Sequence, residues 1–350
     1  MEHTRESKKQ AETKDFAVSD LNQAYSLTEL WPDLEAEPDC LESLIKEAVP
    51  LAPLSYYRAG GVAQYFAKPE TLAEFTAVLK AAKERNLETV VLGLGSNVLF
   101  AEEGIDGLVI MTTGLDRIFT SEDLIWAEAG VLLADFVAYT VDRSLGDYSS
   151  LVGIPGTIGG ALFMNAGAYD CEISKYLDAV LLYAKESSDC FIYRPKPGDF
   201  SYRMSFLQNS DYLALAAAFK LEPQKQSELM EKLAEVQMKR RNAQPLLLPS
   251  CGSAFKRPPG HYVGKLISDL GLKGVRHGQV GVSAKHAGFI VNYGGATASE
   301  IRAFFNWVRK EVKEAYEIDL VPEVRYLGKW PEEFSKARVE LAKAESKEQH

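Results

Sequence analysis

The chain has 350 residues, of which 46% are hydrophobic and 25% charged, and its formal net charge is −10 at pH 7. This length allows two or three domains of ordinary size, and the composition predicts a normal packed core. The negative charge argues against a general nucleic-acid-binding protein, which needs a basic surface, but it permits a local basic pocket for an anionic small molecule. No apolar run approaches the length of a membrane-spanning helix, so we expect no membrane insertion.

The cysteines and the N-terminus indicate a cytoplasmic protein. Cys40, Cys171, Cys190 and Cys251 are widely spaced and form no C-x-x-C pair, so they predict neither a metal site nor a disulfide framework. We expect free thiols in a reducing compartment. The N-terminus lacks a hydrophobic signal core, and its polar, mixed-charge composition predicts a disordered or loosely attached tail over residues 1 to about 20.

The first predicted elements form a β-α-β unit. A short strand is expected at Ala63–Ala67, followed by a helix that begins near Thr71 and ends by Asn86. Thr71 and Glu74 match the S/T-x-x-E capping box, and the apolar residues that follow recur at helical spacing. A strand at Thr89–Gly93 comes directly after this helix.

The middle of the chain predicts more strands and then a change of composition. Residues 105–152 look β-like, because short apolar runs are broken by Gly and Asp, and Leu177–Ala184 and Tyr212–Leu221 are further strand candidates. Near residue 222 the sequence becomes charged, and residues 225–245 have the pattern of an amphipathic helix closed by a proline. This change predicts a domain boundary.

The C-terminal part predicts two more helices. The segment HYVGKLISDLG gives a short helix with a glycine just past its end. Thr297 and Glu300 match a second capping box, and apolar residues at helical spacing continue from Ile301 to Val312. The tail after Trp330 is charged, and we expect a solvated helix or disorder there.

Three glycine-bearing loops suggest a phosphate-binding site. They are YRAGGVA (Tyr57–Ala63), GLGSN (Gly93–Asn97) and GIPGTIGGALFMNAGAY (Gly153–Tyr169). Glycine lets backbone N–H groups approach a ligand closely, and successive N–H groups form anion-binding nests. Each loop alone is more typical of a tight turn in a β-rich domain, but the three together favour a dinucleotide site. GLGSN departs from the G-x-G-x-x-G fingerprint, so a Rossmann-type NAD site is not indicated.

The loops belong to a longer series of motifs. YRAGGVA, VLGLGSNVLF, GIPGTIGGALFMNAGAY, YRMSF, CGSAFKRPPG, GLKG, KHAGFIVN and PEVR occur in this order. Together they resemble the UDP-N-acetylenolpyruvoylglucosamine reductase family over roughly residues 45 to 328. No separate insert lies between YRMSF and CGSAF, so the chain is similar to the shorter type of this family, which lacks an additional substrate-covering loop.

The resemblance implies an α+β fold, with a vanillyl-alcohol-oxidase-type (PCMH-like) two-part FAD-binding domain followed by an α+β substrate-binding domain. The expected division gives residues 1–40 to a partly disordered N-terminal extension, 41–112 and 113–223 to the two FAD-binding subdomains, 224–328 to the substrate-binding domain, and 329–350 to a charged tail.

The resemblance also implies non-covalent FAD, with NADPH as co-substrate. No histidine occurs between His3 and His261, so the glycine loops offer no histidine that would tether the flavin. The residues expected to bind FAD all lie in the three loops: Arg58, Gly60, Gly61, Gly93, Gly95, Ser96, Asn97, Gly153, Pro155, Gly159, Asn165 and Gly167.

In this family an enolpyruvyl ether is reduced to a lactyl ether. NADPH passes hydride to FAD, the flavin passes it to C3 of the enolpyruvyl group, and a proton must then reach C2. Ser253 in CGSAF matches the family's proton donor, and Arg203 in YRMSF matches the catalytic arginine, whose fork suits a carboxylate. Glu323 in PEVR matches the catalytic glutamate, which we expect to be protonated or to share a proton because it meets the substrate carboxylate.

The substrate carries a UDP pyrophosphate and therefore needs local positive charge. Lys256, Arg257 and Lys273 lie in or beside matched motifs and are candidate ligands of phosphate or uridine. His286 in KHAGF is a candidate hydrogen-bond donor, although a lone histidine is more often a satisfied core residue. Tyr202, beside the catalytic arginine, either lines the flavin pocket or simply packs.

Two positions depart from the family pattern. Ser55 is followed by Tyr56 where many relatives carry a small hydroxyl or an Asn-Thr pair, which bears on one contact with the flavin phosphates. Asp170 stands where many relatives have glycine after GAY, which bears on the shape of that loop.

Two other functions remain open at this point. One is a different FAD-dependent oxidase or dehydrogenase of the same fold, and the other is a nucleotide-binding relative without catalysis. The joint presence of Arg203, Ser253 and Glu323 favours the reductase. The expected partners are the small-molecule substrates alone, with no nucleic acid, and the protein is expected to be a cytoplasmic monomer.

Overall fold

The computed structural model describes residues 26–38, 40–169 and 171–331. The polar tail over residues 1 to about 20, Asp170 and most of the charged C-terminal tail lie outside these residues. The helices are α1 (Leu27–Leu30), α2 (Leu72–Glu84), α3 (Leu133–Asp142), α4 (Ile158–Met164), α5 (Gln226–Ala243), α6 (Val263–Asp269) and α7 (Ala298–Tyr316).

Most strands belong to three sheets, and the remainder form short two-stranded pairs. In chain order the strands are β1 (Ile45–Pro50), β2 (Val62–Ala67), β3 (Thr89–Leu92), β4 (Val98–Phe100), β5 (Ile105–Met111), β6 (Ile118–Ser121), β7 (Leu124–Glu128), β8 (Gly167–Ala168), β9 (Cys171–Glu172), β10 (Leu177–Ala184), β11 (Cys190–Tyr193), β12 (Phe200–Ser201), β13 (Met204–Ser205), β14 (Tyr212–Lys220), β15 (Arg276–His277), β16 (Val280–Val282), β17 (Ile290–Asn292) and β18 (Arg325–Leu327).

The first sheet contains the predicted strand–helix–strand unit. Its order is β1-β2-β5-β3, and both β2 and β3 run parallel to β5, which lies between them. The predicted elements β2, α2 and β3 are confirmed, but the two strands are not neighbours. Thr71 caps α2 as predicted, accepting a hydrogen bond from the Glu74 backbone, whereas the Glu74 carboxylate accepts from the backbone of Glu70 and so leaves the capping box incomplete.

The second sheet is antiparallel, with the order β11-β10-β14-β7-β6. The predictions of β10 and β14 are confirmed. On β10, Val180 and Leu182 enter one hydrophobic core and Leu181 and Tyr183 enter another, so both faces of the sheet are covered. Burial on both faces explains why this strand is an almost continuous apolar run rather than an alternating one.

One prediction for residues 105–152 is wrong in part, because helix α3 lies inside the segment that looked β-like. Its buried residues Leu133, Phe136, Val137 and Val141 recur at helical spacing. The residue before the helix, Leu132, makes no side-chain cap hydrogen bond, so the usual polar signal for a helix start is missing.

The third sheet, β15-β16-β17, packs with α6 and α7 around a separate core. The α7 capping box between Thr297 and Glu300 is present in full, as predicted. This core also includes Tyr57 from the first glycine loop, whose hydroxyl donates to the Ile290 carbonyl. Strand β18 pairs in parallel with β4, so the end of the chain returns to the first part of the molecule.

Helix α5, predicted from its amphipathic pattern, is confirmed. It buries Leu229 and Val236 in the core beneath the second sheet, where it meets α3. All four cysteines are free thiols, as expected. None of the helices in the described ranges is long and apolar enough to cross a membrane.

The N-terminal segment contributes a buried tryptophan to the contact between the first two sheets. Trp31 is fully buried in a core that contains residues of both sheets. Its ring lies edge-on to Trp126 at 5.2 Å, and its indole N–H donates to the Glu128 carboxylate at 2.9 Å. Burial raises the pKa of Glu128, while the bonds from Trp31 and Arg117 act against this effect. The segment therefore fastens the two sheets together.

We expect Trp31→Ala to lower the free energy of unfolding by about 3–5 kcal/mol, because it leaves a cavity and removes the indole donor from a buried carboxylate. Urea denaturation measures this change. Met230→Ala, at an exposed position on α5, is the control and should stay within about 0.5 kcal/mol. Equal effects of the two substitutions would show that the N-terminal segment does not fasten the sheets.

Candidate active site

A single cavity of about 1520 Å³ collects side chains from all parts of the fold. A pocket for one drug-sized ligand measures about 300–1,000 Å³, so this cavity has room for a large cofactor together with a substrate. Many of the predicted site residues line it: Arg58, Gly93, Gly95, Ser96, Asn97, Gly153, Pro155, Gly159, Gly167, Arg203, Ser253 and Glu323.

The second and third glycine loops lie against each other at the cavity wall. A Cβ atom at Gly93 would lie 2.5 Å from the Thr157 hydroxyl oxygen. The Ser96 hydroxyl donates to the Pro155 carbonyl at 2.7 Å, which fixes one loop on the other. The hydroxyl hydrogen that was expected to reach a phosphate is therefore used within the protein.

The segment just before the first loop joins this wall through the backbone of Gly95. The carbonyl of Gly95 accepts a hydrogen bond from Tyr56 N–H at 3.1 Å. Gly95 has a φ of +69°, and a Cβ atom there would lie 1.9 Å from the Leu54 carbonyl oxygen. Only glycine meets both conditions. The result is one wall of bare backbone, which fits the large planar ring system and the phosphates of FAD.

Three of the residues expected to bind FAD lie outside the cavity lining. Gly60 packs on Phe100, with only 2.6 Å between a Cβ placed there and the Phe100 Cβ, and Gly61 packs on the Glu102 carbonyl. These glycines permit close contact between chain segments. Asn165 is fully buried in the left-handed conformation that ends α4, and its amide donates to the Ser201 carbonyl. Their contact with flavin stays a prediction.

Arg203 is held at the turn of the β12–β13 hairpin. Its φ of +56° places it in the left-handed region, at a turn position where glycine or asparagine is usual. The end of α4 supports this hairpin, because Ser205 and Gln208 both donate to the Phe163 carbonyl. The Asn165 side-chain amide makes a third contact with the hairpin, because it donates to the Ser201 carbonyl. The long glycine-rich stretch therefore positions a candidate catalytic side chain as well as lining the cavity.

Arg203 joins two distant parts of the chain through its guanidinium. Its Nε donates to Glu323 Oε1 at 2.7 Å, and its Nη2 donates to the Gly167 carbonyl at 3.0 Å. Its Nη1 makes no hydrogen bond to any described residue, so Nη1 and the second N–H of Nη2 are available to another acceptor. Part of the guanidinium expected to bind the substrate carboxylate is thus already hydrogen-bonded within the protein.

Ser253 and Glu323 are brought together by pairing between two backbone segments. Phe255 and Pro322 form an antiparallel bridge, and Glu323 N–H donates to the Ala254 carbonyl at 3.0 Å. Ser253 is exposed to the cavity, and its hydroxyl has no hydrogen-bond partner among the described residues. All three predicted catalytic side chains therefore line the same cavity as the glycine loops.

Burial raises the pKa of Glu323, whereas Arg203 and Lys256 act to lower it. The predicted direction is therefore found, but its main cause is the loss of water around the carboxylate rather than the approach of a second carboxylate. The Asn97 side-chain amide donates to the Glu323 backbone carbonyl at 3.1 Å, which ties the second glycine loop to the same residue.

The candidate substrate residues lie beside the cavity rather than in its lining. The Tyr202 hydroxyl accepts from Arg257 N–H at 3.3 Å, and the Arg257 guanidinium lies over the Tyr262 ring at 3.8 Å. His286 Nδ1 accepts from Gly288 N–H in its own loop, and burial lowers the pKa of this histidine. His286 thus has a structural partner, as a lone histidine usually does.

Lys256 is half-buried near Glu323, and Lys273 is close enough to His286 to act on its pKa. Their contacts with substrate stay predictions. The first departure from the family pattern involves Ser55, which is buried and donates to the Val98 carbonyl, and Tyr56, which lines the cavity. The second, Asp170, lies outside the described residues.

Two arginines that line the cavity, Arg240 and Arg325, are not among the residues predicted from the sequence. Arg325 directly follows Glu323-Val324, and its guanidinium lies over the Phe163 ring at 4.8 Å. Arg240 follows the buried Val236 by four residues on α5, so it continues the apolar stripe of that helix. The position of this charged residue on the apolar stripe of α5 is the sequence signal that could have indicated Arg240.

Comparison with known proteins identifies the family. A model of the C-terminal domain of UDP-N-acetylenolpyruvoylglucosamine reductase matches residues 244–327, and an FAD-binding-domain model matches residues 63–185. The reductase of Staphylococcus haemolyticus is 40% identical over 292 residues, which are 83% of this chain and 95% of that protein. The chain belongs to the UDP-N-acetylenolpyruvoylglucosamine reductase family. The reductase of Lactobacillus helveticus is 39% identical over 285 residues, 81% of this chain and 95% of that protein.

A solved structure of this family supports the same fold. The UDP-N-acetylenolpyruvylglucosamine reductase of Thermus caldophilus aligns with a TM-score of 0.69 and 32% identity, covering 82% of this chain and all of the other. With the FAD-binding-domain match, it confirms the predicted fold class of a two-part FAD-binding domain followed by an α+β domain. The exact domain boundaries stay predictions.

We expect Gly95→Ala to lose most of its bound flavin, because the new Cβ would force the loop away from Leu54. The measurement is the ratio of flavin to protein absorbance after purification. Gly260→Ala is a matched control, since Gly260 has nearly the same φ, +72°, but nothing within 4 Å of its Cβ position. It should keep its flavin and lose only about 1–2 kcal/mol of stability. Equal flavin content in both variants would contradict the role assigned to the bare wall.

Proposed function

We propose that this protein is an FAD-dependent, NADPH-oxidising reductase that converts UDP-N-acetylglucosamine-enolpyruvate to UDP-N-acetylmuramate, a step of peptidoglycan precursor synthesis. The observation that carries the proposal is that Arg203, Ser253 and Glu323 line one cavity with the glycine loops. The family match and the FAD-binding-domain match give independent support.

The chain's own residues would hold FAD mainly through backbone. Gly93, Gly95, Gly153 and Gly159 leave the wall free of side chains, and Arg58 lies at the same wall. Bound FAD would supply the hydride chemistry between NADPH and C3 of the enolpyruvyl group. The protein supplies orientation, charge and the proton.

Arg203 stabilises the negative charge that develops on the enolpyruvyl group. Its Nη1 and the second N–H of Nη2 are free to bind the substrate carboxylate, where charge from C2 accumulates. Glu323 fixes the guanidinium from the opposite edge at 2.7 Å, so the orientation of the donor edge is set before substrate binds. This arrangement makes Glu323 a positioning group for Arg203.

Ser253 delivers the proton to C2. A hydroxyl is a weak acid, but a carbon that carries enolate charge is basic enough to accept its proton. The hydroxyl is not committed to a described neighbour, so it is free to hydrogen-bond at the reacting carbon. The backbone of residues 254–256, which follows Ser253, pairs with residues 321–323, and this pairing keeps the serine close to Glu323.

We also propose that the protein acts as a cytoplasmic monomer and contributes through the cell wall to cell shape and division. The free cysteines support a reducing compartment. The three catalytic candidates come from one chain, so the site does not need a second copy. A different FAD oxidase or dehydrogenase would not need both a proton-donating Ser253 and a carboxylate-binding Arg203 in the same cavity.

The two half-reactions test this function separately. Under anaerobic conditions NADPH should bleach the flavin absorbance, and UDP-N-acetylglucosamine-enolpyruvate should then restore it with formation of UDP-N-acetylmuramate. Bleaching without restoration would reject the reductase in favour of another FAD enzyme. A protein that binds flavin but is not bleached by NADPH would point to a non-catalytic relative.

We expect Ser253→Ala to separate the half-reactions. Flavin reduction by NADPH should remain within about twofold of the parent, while reoxidation by substrate should slow by about 10²–10⁴-fold, the usual effect of losing a positioned acid. Stopped-flow absorbance measures both rates. Ser227→Ala, at an exposed position on α5 outside the cavity lining, is the control. Equal loss of both half-reactions in Ser253→Ala would mean that the serine is structural.

A further inference from the structure

Arg240 carries a buried positive charge without an acidic partner. It lies near the end of α5 and is only 7% exposed. Its Nη2 reaches the Ser150 carbonyl at 3.4 Å, which is long for a hydrogen bond, and its buried Nε has no partner among the described residues. It forms no ion pair within the described part of the chain.

Two other arginines of low exposure show the contrast. Arg203 pairs with Glu323 at 2.7 Å, and Arg309 pairs with Asp319 at 2.9 Å while donating to the Leu320 carbonyl. A buried charge is normally compensated in this way, because removing it from water without a counter-charge is unfavourable. Burial lowers the pKa of Arg240, but a guanidinium stays protonated in proteins, so the charge persists.

The surroundings of Arg240 place its charge at the glycine wall. Its Cδ lies 3.0 Å from the position that a Cβ would take at Gly153, and its guanidinium lies 5.5 Å from the centre of the Tyr169 ring. Lys239 lies 6.0 Å from the same ring, but its charge is paired with Glu235 at 2.6 Å. The dipole of α5 favours a cation at this helix end, but it favours an exposed one equally and does not account for burial.

We propose that Arg240 is a phosphate-binding residue of the cavity, and that the pyrophosphate of a nucleotide ligand supplies its missing counter-charge. The proposal rests on the proposed function for the identity of the nucleotides, which are FAD and the UDP-linked substrate. Both carry a pyrophosphate, and the guanidinium edge suits two phosphate oxygens. Arg240 therefore binds ligand and does not take part in hydride or proton transfer.

The test compares Arg240→Gln with Arg241→Gln. Arg241 is the exposed neighbour on the same helix turn, so both variants lose one positive charge at almost the same place. The FAD dissociation constant is measured from flavin fluorescence on dilution of the holoenzyme. The UDP dissociation constant is measured by calorimetry on the holoenzyme, and the KM for UDP-N-acetylglucosamine-enolpyruvate by NADPH oxidation.

In Arg240→Gln we expect one of the two pyrophosphate ligands to bind about 10- to 150-fold more weakly, the range for one hydrogen bond to a charged group. Weaker FAD binding with unchanged UDP binding assigns Arg240 to the flavin. Weaker UDP binding and a raised KM, with full flavin retention, assign it to the substrate. Arg240→Lys keeps the positive charge but loses the planar guanidinium, so its affinity for the same ligand should lie between those of the parent and Arg240→Gln. It replaces Arg240→Gln in the test if that variant does not fold.

The proposal is overturned if both dissociation constants and the KM stay within twofold of Arg241→Gln in both Arg240 variants. A lower melting temperature with unchanged ligand binding would also overturn it, since this is the signature of a structural arginine. Failure of the proposed function is distinguishable, because the parent would then bind FAD and UDP without oxidising NADPH in the presence of the substrate.

Discussion

The ion pair between Arg203 and Glu323 is the contact on which the site depends. It joins the β12–β13 hairpin to the segment that precedes β18, across 120 residues of chain. Each partner is also fixed by backbone, Arg203 through the Gly167 carbonyl and Glu323 through its bond to Ala254. Because both side chains are largely buried, breaking either side would leave an uncompensated charge. The pair therefore holds the donor edge of the arginine in place while the hydroxyl of Ser253 is kept nearby.

The glycine-rich stretch has two roles that arise from the same lack of side chains. On the cavity side, it makes a wall that consists of backbone. On the other side, it lets α4 pack closely against the segment that contains Ala129, since a Cβ at Gly159 would lie 2.9 Å from the Ala129 Cβ. The end of this helix then binds the Arg203 hairpin through the Phe163 carbonyl and Asn165. The cavity wall and the support of a candidate catalytic residue are thus parts of one structural unit, so a change in the loop would affect both.

Local patterns predicted the elements that carry their own signals. The caps at Thr71 and Thr297 marked the starts of α2 and α7, and the apolar runs marked β10 and β14. Helix α3 was not recognised because Leu132 offers no capping side chain, and the insertion of β5 between β2 and β3 depends on long-range pairing. The three candidate catalytic residues were proposed from family motifs, because nothing in their spacing indicates that the chain brings them to one cavity. Arg240 was missed because its charge suggested the exposed side of a helix, whereas it continues the buried stripe from Val236.

The net charge of the chain and the charge of its cavity have opposite signs, and the two are compatible for a physical reason. Glu323 is the only carboxylate among the described residues that line the cavity, and the cationic residues there are Arg58, Lys83, Lys185, Arg203, Arg240 and Arg325. Salt screens exposed charges beyond about 8 Å at physiological ionic strength, so the acidic outer surface acts weakly on the cavity. The excess of acidic residues, which argues against a nucleic-acid-binding surface, is thus compatible with a local site that binds pyrophosphates. Glu323 is itself paired with Arg203. Phosphate groups are therefore the ligands that match the charge of a cavity lined mainly by cations.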